Sequence, residues 1–180
     1  MKRNLMLSLG LCVLGCGGAG DSGTTQPPTT EAGKSVFSSA TSTLVAQDLG
    51  GGFVPQPPPG STCTVNAKKF TLTVASRAVA WTRCVGDGKT AYMETRGTQT
   101  LSETDFKNLV PLLENLRVVS PDGGCIADAS MLTVSVTTPL GSQEYVDDGF
   151  QCQVKDKPFL DRGTIYQVLE RLNTLTAASM

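Results

Sequence analysis

The chain has 180 residues, with 15 Lys and Arg against 16 Asp and Glu, a formal net charge of −1, and no histidine. The absence of histidine excludes Ser-His-Asp and Cys-His catalysis and every His-ligated metal site. The sequence contains no nucleophile elbow, no SxxK motif and no cofactor-binding motif. It also has no basic stripe of the kind that binds nucleic acid. These features predict a protein that is not an enzyme, holds no cofactor and has no nucleic-acid partner.

The first eighteen residues have the order of an export signal. Lys2 and Arg3 supply a positive start, and an apolar run covers residues 5–14. This run is too short to cross a membrane as a helix, which needs about 20 residues. The segment therefore predicts a signal peptide rather than a membrane-spanning helix.

The end of this segment, Val13-Leu14-Gly15-Cys16, resembles the lipobox of bacterial lipoprotein precursors. The resemblance covers only the N-terminus. It implies a signal peptide of residues 1–15, diacylglycerol on the Cys16 sulfur, and an acyl chain such as palmitate on the new Cys16 amine. Gly17 after that cysteine implies export to the outer membrane, facing either the periplasm or the cell surface. The expected partner is thus a membrane, held through lipid.

Removing residues 1–15 leaves 165 residues with 13 basic and 16 acidic side chains, for a net charge of −3. Residues 16–60 are rich in Gly, Ser, Thr and Pro, a composition that predicts a mostly disordered tether behind the lipidated cysteine. One stretch in it is ambiguous. Thr43–Leu49 is compatible with a first strand that has Leu44 and Ala46 on one face, while the residues from Val36 onward also permit a loose helical stripe.

Residues 61–175 predict a single α+β domain. Alternating apolar residues indicate strands, and spacings of three and four indicate helices. Gly97 interrupts the third strand and predicts a bulge there. Pro158, after Asp156, suits the first turn of the last helix. The element order is β-β-β-α-β-β-α: an antiparallel sheet of about five strands built from hairpins, with two helices packed on one face. The predicted strands are Lys69–Val74, Val79–Arg83, Thr90–Thr100, Leu132–Val136 and Gln143–Asp147, and the first helix is Leu101–Leu116.

Four cysteines lie in this domain, and in an exported chain they predict two disulfides with three possible connectivities. A hairpin turn centred on Pro139 and Leu140 pairs residues whose numbers sum to 279, so that Val134 faces Tyr145. The same register places Cys125 two positions from the residue opposite Cys152. This register favours a disulfide between Cys125 and Cys152, and a disulfide between Cys63 and Cys84 follows by elimination.

The second disulfide would bring Asp122 and Asp128 near Asp147 and Asp148, the only candidates for a metal site. Adjacent strand residues point to opposite faces, however, so we predict no bound metal. The sequence favours a membrane-anchored lipoprotein with a structural, ligand-binding or protein-binding domain. The alternative is a protein inhibitor of a hydrolase, which would present the loop of residues 118–129.

Overall fold

The structure is a computed structural model that describes residues 31–51, 57–87 and 89–177. The predicted signal peptide and Cys16 lie outside these residues. Within them the protein is α+β, with two α-helices and one sheet of eight strands. The strands are β1 (Thr43–Asp48), β2 (Lys68–Thr73), β3 (Ala78–Val85), β4 (Met93–Thr100), β5 (Val118–Val119), β6 (Leu132–Thr138), β7 (Gly141–Asp147) and β8 (Phe159–Leu160), and the helices are α1 (Glu103–Glu114) and α2 (Arg162–Ala177).

The strand order across the sheet is β4-β3-β2-β1-β6-β7-β8-β5, and β7 pairs with β8 in parallel. The prediction of about five antiparallel strands therefore understates the sheet, which has eight strands in the described residues and includes the parallel pair of β7 and β8. β5 and β8 have two residues each, which is too short for any periodicity to be visible. A 3₁₀ turn (Asp148–Phe150) and a loop, rather than a tight hairpin, separate β7 from β8, so β8 can run in the same direction.

β1 occupies the middle of the sheet, between β2 and β6. Its Leu44 and Ala46 are fully buried, as the strand interpretation of this stretch requires. The chain before β1 is also ordered against the fold, because the Gly33 N–H donates to the Val118 carbonyl at 2.7 Å. The folded part therefore begins before Ser61, the predicted start of the domain.

One alternating set of strand side chains faces the helices and forms the core with them. Val134 lies opposite Tyr145, and both are buried, which confirms the predicted register of the β6–β7 hairpin. α1 contributes Leu109 and Leu113 to this core. α2 contributes the predicted stripe of Ile165, Val168, Leu169 and Leu172.

Each helix starts at a side chain that caps its first turn. Ser102 accepts a hydrogen bond from the Asp105 backbone N–H at 3.0 Å, as predicted, and α1 continues through Pro111. α2 does not begin near Pro158. Asp161 accepts from the Thr164 N–H at 2.7 Å and fixes the start at Arg162, while Pro158 precedes β8.

Gly97 causes no bulge, because the pairing of β3 with β4 is continuous from Ala78 to Val85. Gly97 lies directly opposite Trp81. A Cβ atom at position 97 would stand 2.5 Å from a carbon of the Trp81 ring. A glycine is needed at this position because the Trp81 indole packs over it. Close approach of a neighbouring group, rather than a bulge, is therefore the reason for the glycine in this strand.

Candidate functional site

Both predicted disulfides are present. Cys63 and Cys84 are joined with their Cα atoms 5.7 Å apart, and Cys125 and Cys152 with theirs 6.0 Å apart. The second pair does not extend the β6–β7 ladder, since β6 begins only at Leu132. It joins the loop of residues 120–131, here called the clasped loop, to the chain just after the 3₁₀ turn. The predicted pairing was right, but a loop rather than a bulged strand provides it.

The clasped loop is exposed and is held at several points. Residues 121–128 are all exposed. The Ile126 N–H donates to the Gly149 carbonyl at 2.8 Å, and the Gln151 amide contacts Asp122 and the carbonyl of Gly124. The pKa of Asp122 is lowered because its carboxylate accepts hydrogen bonds, first in importance from the Gly124 N–H and second from the Gln151 side-chain amide.

Asp147 and Asp148, the candidate metal ligands, form hydrogen bonds and an ion pair that connect the sheet to the start of α2. Asp147 is fully buried, and its Oδ1 lies 2.9 Å from Nη1 of Arg162. Its Oδ2 accepts the Leu132 N–H at 2.7 Å, and Asp148 accepts the backbone N–H of Arg162 at 3.1 Å. Asp122 and Asp128 lie in the clasped loop, and among the described residues no three acidic or cysteine side chains form a group suited to a metal ion.

A different set of charged residues lies on the helix-facing side of the sheet. Asp48 is paired with Lys68 across β1 and β2, and Lys68 with Arg83 across β2 and β3. Asp48 follows Leu44 and Ala46 in the alternation, so its side chain belongs to the core face. Arg83 follows Val79 and Trp81 in the same way. We call these three residues, Asp48, Lys68 and Arg83, the polar row.

α2 crosses the polar row with its C-terminal half. Lys68 Nζ forms an ion pair with Glu170 at 2.6 Å and lies 5.7 Å from the centre of the Tyr166 ring. Arg83 Nη2 donates to the Asn173 carbonyl at 3.1 Å and to the Thr176 hydroxyl. These bonds connect the Arg83 guanidinium to the last turns of α2.

Arg83 is a buried cation without a counter-charge in the described part of the chain. Its guanidinium carbon lies 4.3 Å from the centre of the Trp81 ring and 5.6 Å from that of Phe70. The residue is 8% exposed, and its Nε and Nη1 atoms have no hydrogen-bond partner among the described residues. Desolvation by burial lowers the pKa of Arg83.

Asp48 is the corresponding buried anion. It is 7% exposed and accepts the Gly50 N–H at 2.9 Å through Oδ1. No Lys or Arg of the described residues lies within ion-pair distance of it. Burying a charge without a partner is costly, so the two ends of the polar row carry opposite charges that nothing described here neutralises.

The polar row lines a cavity of about 430 Å³, which we call the polar cleft; its wall also includes Asn66, Ser130 and Tyr166. Sequence reasoning did not find this site. The available signal was the alternation itself, because Asp48 and Arg83 each continue a run of core-facing residues. A charged residue that continues a core-facing run is either buried or close to the end of its strand. Asp48 and Arg83 are buried, and each lies at or near the end of its strand.

No known protein family matches this chain. No curated protein and no solved structure matches it either. Among the described residues, neither helix is both long and apolar enough to span a bilayer.

Proposed function

We propose that this protein is a membrane-anchored lipoprotein whose folded domain binds a ligand. The observation that carries the binding role is the polar cleft, where Asp48 and Arg83 are buried without ion-pair partners among the described residues. A concave site with a few converging polar groups is the usual form of a ligand pocket. Uncompensated buried charges cost stability, and a bound ligand that neutralises them recovers it.

The anchor in this proposal depends on the lipobox-like sequence ending in Cys16. A lipid-modified cysteine gains about 0.8 kcal/mol for each CH₂ group buried in the bilayer, and more than one chain gives stable attachment. The domain would then act at the outer membrane, facing the periplasm or the cell surface. Residues 17–30 would connect it to the lipid.

The anchor can be tested by intact mass spectrometry of the protein purified from membranes. We expect a chain that begins at Cys16 and carries the added mass of diacylglycerol and an acyl group. Cys16→Ser should remain as the unmodified precursor. Cys12→Ser is the matched control and should be acylated like the parent, because Leu11 is too large to precede the cleavage site. An unmodified mature chain starting at Ala19 or Asp21 would contradict the anchor.

A second candidate function is favoured by the clasped loop. Its exposed residues are held by Cys125–Cys152, by the Ile126–Gly149 hydrogen bond and by Gln151. A rigid exposed loop of this kind loses little entropy on docking, which suits a protein inhibitor of a hydrolase.

A panel of proteases and other hydrolases separates the two functions. An inhibitor would cause a stoichiometric loss of activity that disappears when Cys125 and Cys152 are both replaced by alanine. From the ligand-binding proposal we expect no inhibition of any enzyme in the panel.

A further inference from the structure

We infer that the polar cleft binds a small zwitterion whose carboxylate contacts Arg83 and whose ammonium group contacts Asp48. This inference rests on the binding role proposed above and adds the chemical class of the ligand. It does not depend on the lipid anchor.

The charge balance requires both signs in the ligand. Lys68, in the middle of the polar row, is already neutralised by Glu170 at 2.6 Å. The charges left without partners among the described residues are the cation of Arg83 and the anion of Asp48. A simple anion would be attracted by Arg83 but repelled by Asp48. A simple cation would be attracted by Asp48 but repelled by Arg83. Only a ligand with two opposite charges offsets both.

The spacing of the row sets the length of the ligand. Asp48 and Arg83 are separated by one strand, β2, which lies between their own strands. Adjacent strands lie about 4.8 Å apart, so the backbones at the two positions are roughly 10 Å apart. Lys68 lies between the two positions, so the two charges of the ligand must be far enough apart to reach past that side chain. A linear ω-amino acid or a short peptide with free termini is of the right size.

The free donors of Arg83 define the carboxylate end. Nη2 is occupied by α2, but Nε and Nη1 have no partner in the described chain. A guanidinium presents its N–H groups as a planar fork that matches the oxygens of a carboxylate. Solvent does not reach these two atoms, so the ligand must displace part of the cleft wall. Tyr166, which is 52% exposed, is part of that wall.

The test is a titration of the full-length protein at constant ionic strength, followed by tryptophan fluorescence. Trp81 is the single tryptophan, and its ring lies against the Arg83 guanidinium, so it reports occupancy of the carboxylate end. The probes are ε-aminocaproate, caproate and hexylamine, which share one carbon chain and differ only in charge. We expect a saturable response to ε-aminocaproate with an affinity about tenfold or more above that for the other two, because each lacks one ion pair.

Two variants assign the ends of the ligand. Asp48→Asn should remove the advantage of ε-aminocaproate over caproate, because the ammonium group loses its partner. Arg83→Lys should weaken both carboxylates about tenfold or more, because lysine lacks the fork. Arg96→Gln is the control, since Arg96 is an exposed cation on β4, and it should bind like the parent.

Equal affinities for the three probes, no saturable response, or an unchanged preference in Asp48→Asn would each overturn the inference. The Asp48→Asn result keeps the test decisive if Arg83→Lys does not fold. Acylation is measured separately by mass. A protein that responds to ε-aminocaproate but carries no lipid supports the ligand class and contradicts the anchor, whereas a lipidated protein without the response overturns the ligand class and leaves the anchor intact.

Discussion

Replacing Asp147 with alanine should lower the free energy of unfolding by about 3–5 kcal/mol, because it breaks a buried ion pair from one side only. Asp147 is fully buried, and its partner Arg162 is largely covered. The substitution also leaves the N–H groups of Leu132 and Gly149 without their acceptor. The measurement is urea denaturation of the variant and the parent at pH 7, followed by circular dichroism.

Asp128→Ala is the matched control for this experiment. Asp128 is an exposed carboxylate in the clasped loop, so its loss should change stability by no more than about 0.5 kcal/mol. A similar small effect for Asp147→Ala would show that the junction between β7 and α2 does not depend on the buried pair. Calcium titration adds a separate readout, and micromolar binding that is lost in Asp147→Ala and Asp148→Ala would instead assign these residues to a metal site.

Removing the Cys125–Cys152 disulfide should cost about 2–5 kcal/mol of stability. The disulfide closes a separation of 27 residues, and its loss enlarges the conformational freedom of the unfolded chain. The folded state also loses one of the attachments of the clasped loop. The double variant Cys125→Ala/Cys152→Ala should therefore unfold at lower urea concentration and should be cut faster by proteases within residues 120–131.

The other disulfide provides the comparison. Cys63 and Cys84 are separated by 21 residues, so Cys63→Ala/Cys84→Ala should lose a similar amount of stability without faster cleavage in the clasped loop. Peptide mapping without reduction should recover the two predicted pairs. A peptide linking Cys84 to Cys125 would contradict both the pairing and the assignment of the protease-sensitive loop.

Sequence reasoning succeeded where periodicity and turn chemistry agreed. The hairpin of β6 and β7 has a turn with Pro139 and alternating apolar residues on both sides, and its register was predicted to the residue. α1 was recognised from Ser102 and its apolar stripe in the same way. β5 and β8 could not be predicted, because a two-residue strand has no period and exists only through its neighbours.

The candidate site was harder to predict for a related reason. Lys68 and Arg83 are neighbours through the hairpin of β2 and β3, but Asp48 joins them only because β1 lies beside β2. The sequence leaves β1 open as a strand or a helical stripe, so Asp48 has no predicted position relative to Lys68 and Arg83. Gly97 predicts a bulge when the sequence is taken alone, because the large ring that needs the space, Trp81, lies on another strand.

The central position of β1 has a consequence for the order in which the chain can fold. β1 ends at Asp48, whereas β6, its partner on one side, begins at Leu132. During synthesis β2 therefore becomes available to pair with β1 early, whereas the partner of the other edge of β1 is made much later. Non-local pairing of this kind slows folding, and an unpaired strand edge is prone to association with other chains. The newly made chain would thus be most vulnerable to aggregation in the interval before β6 emerges.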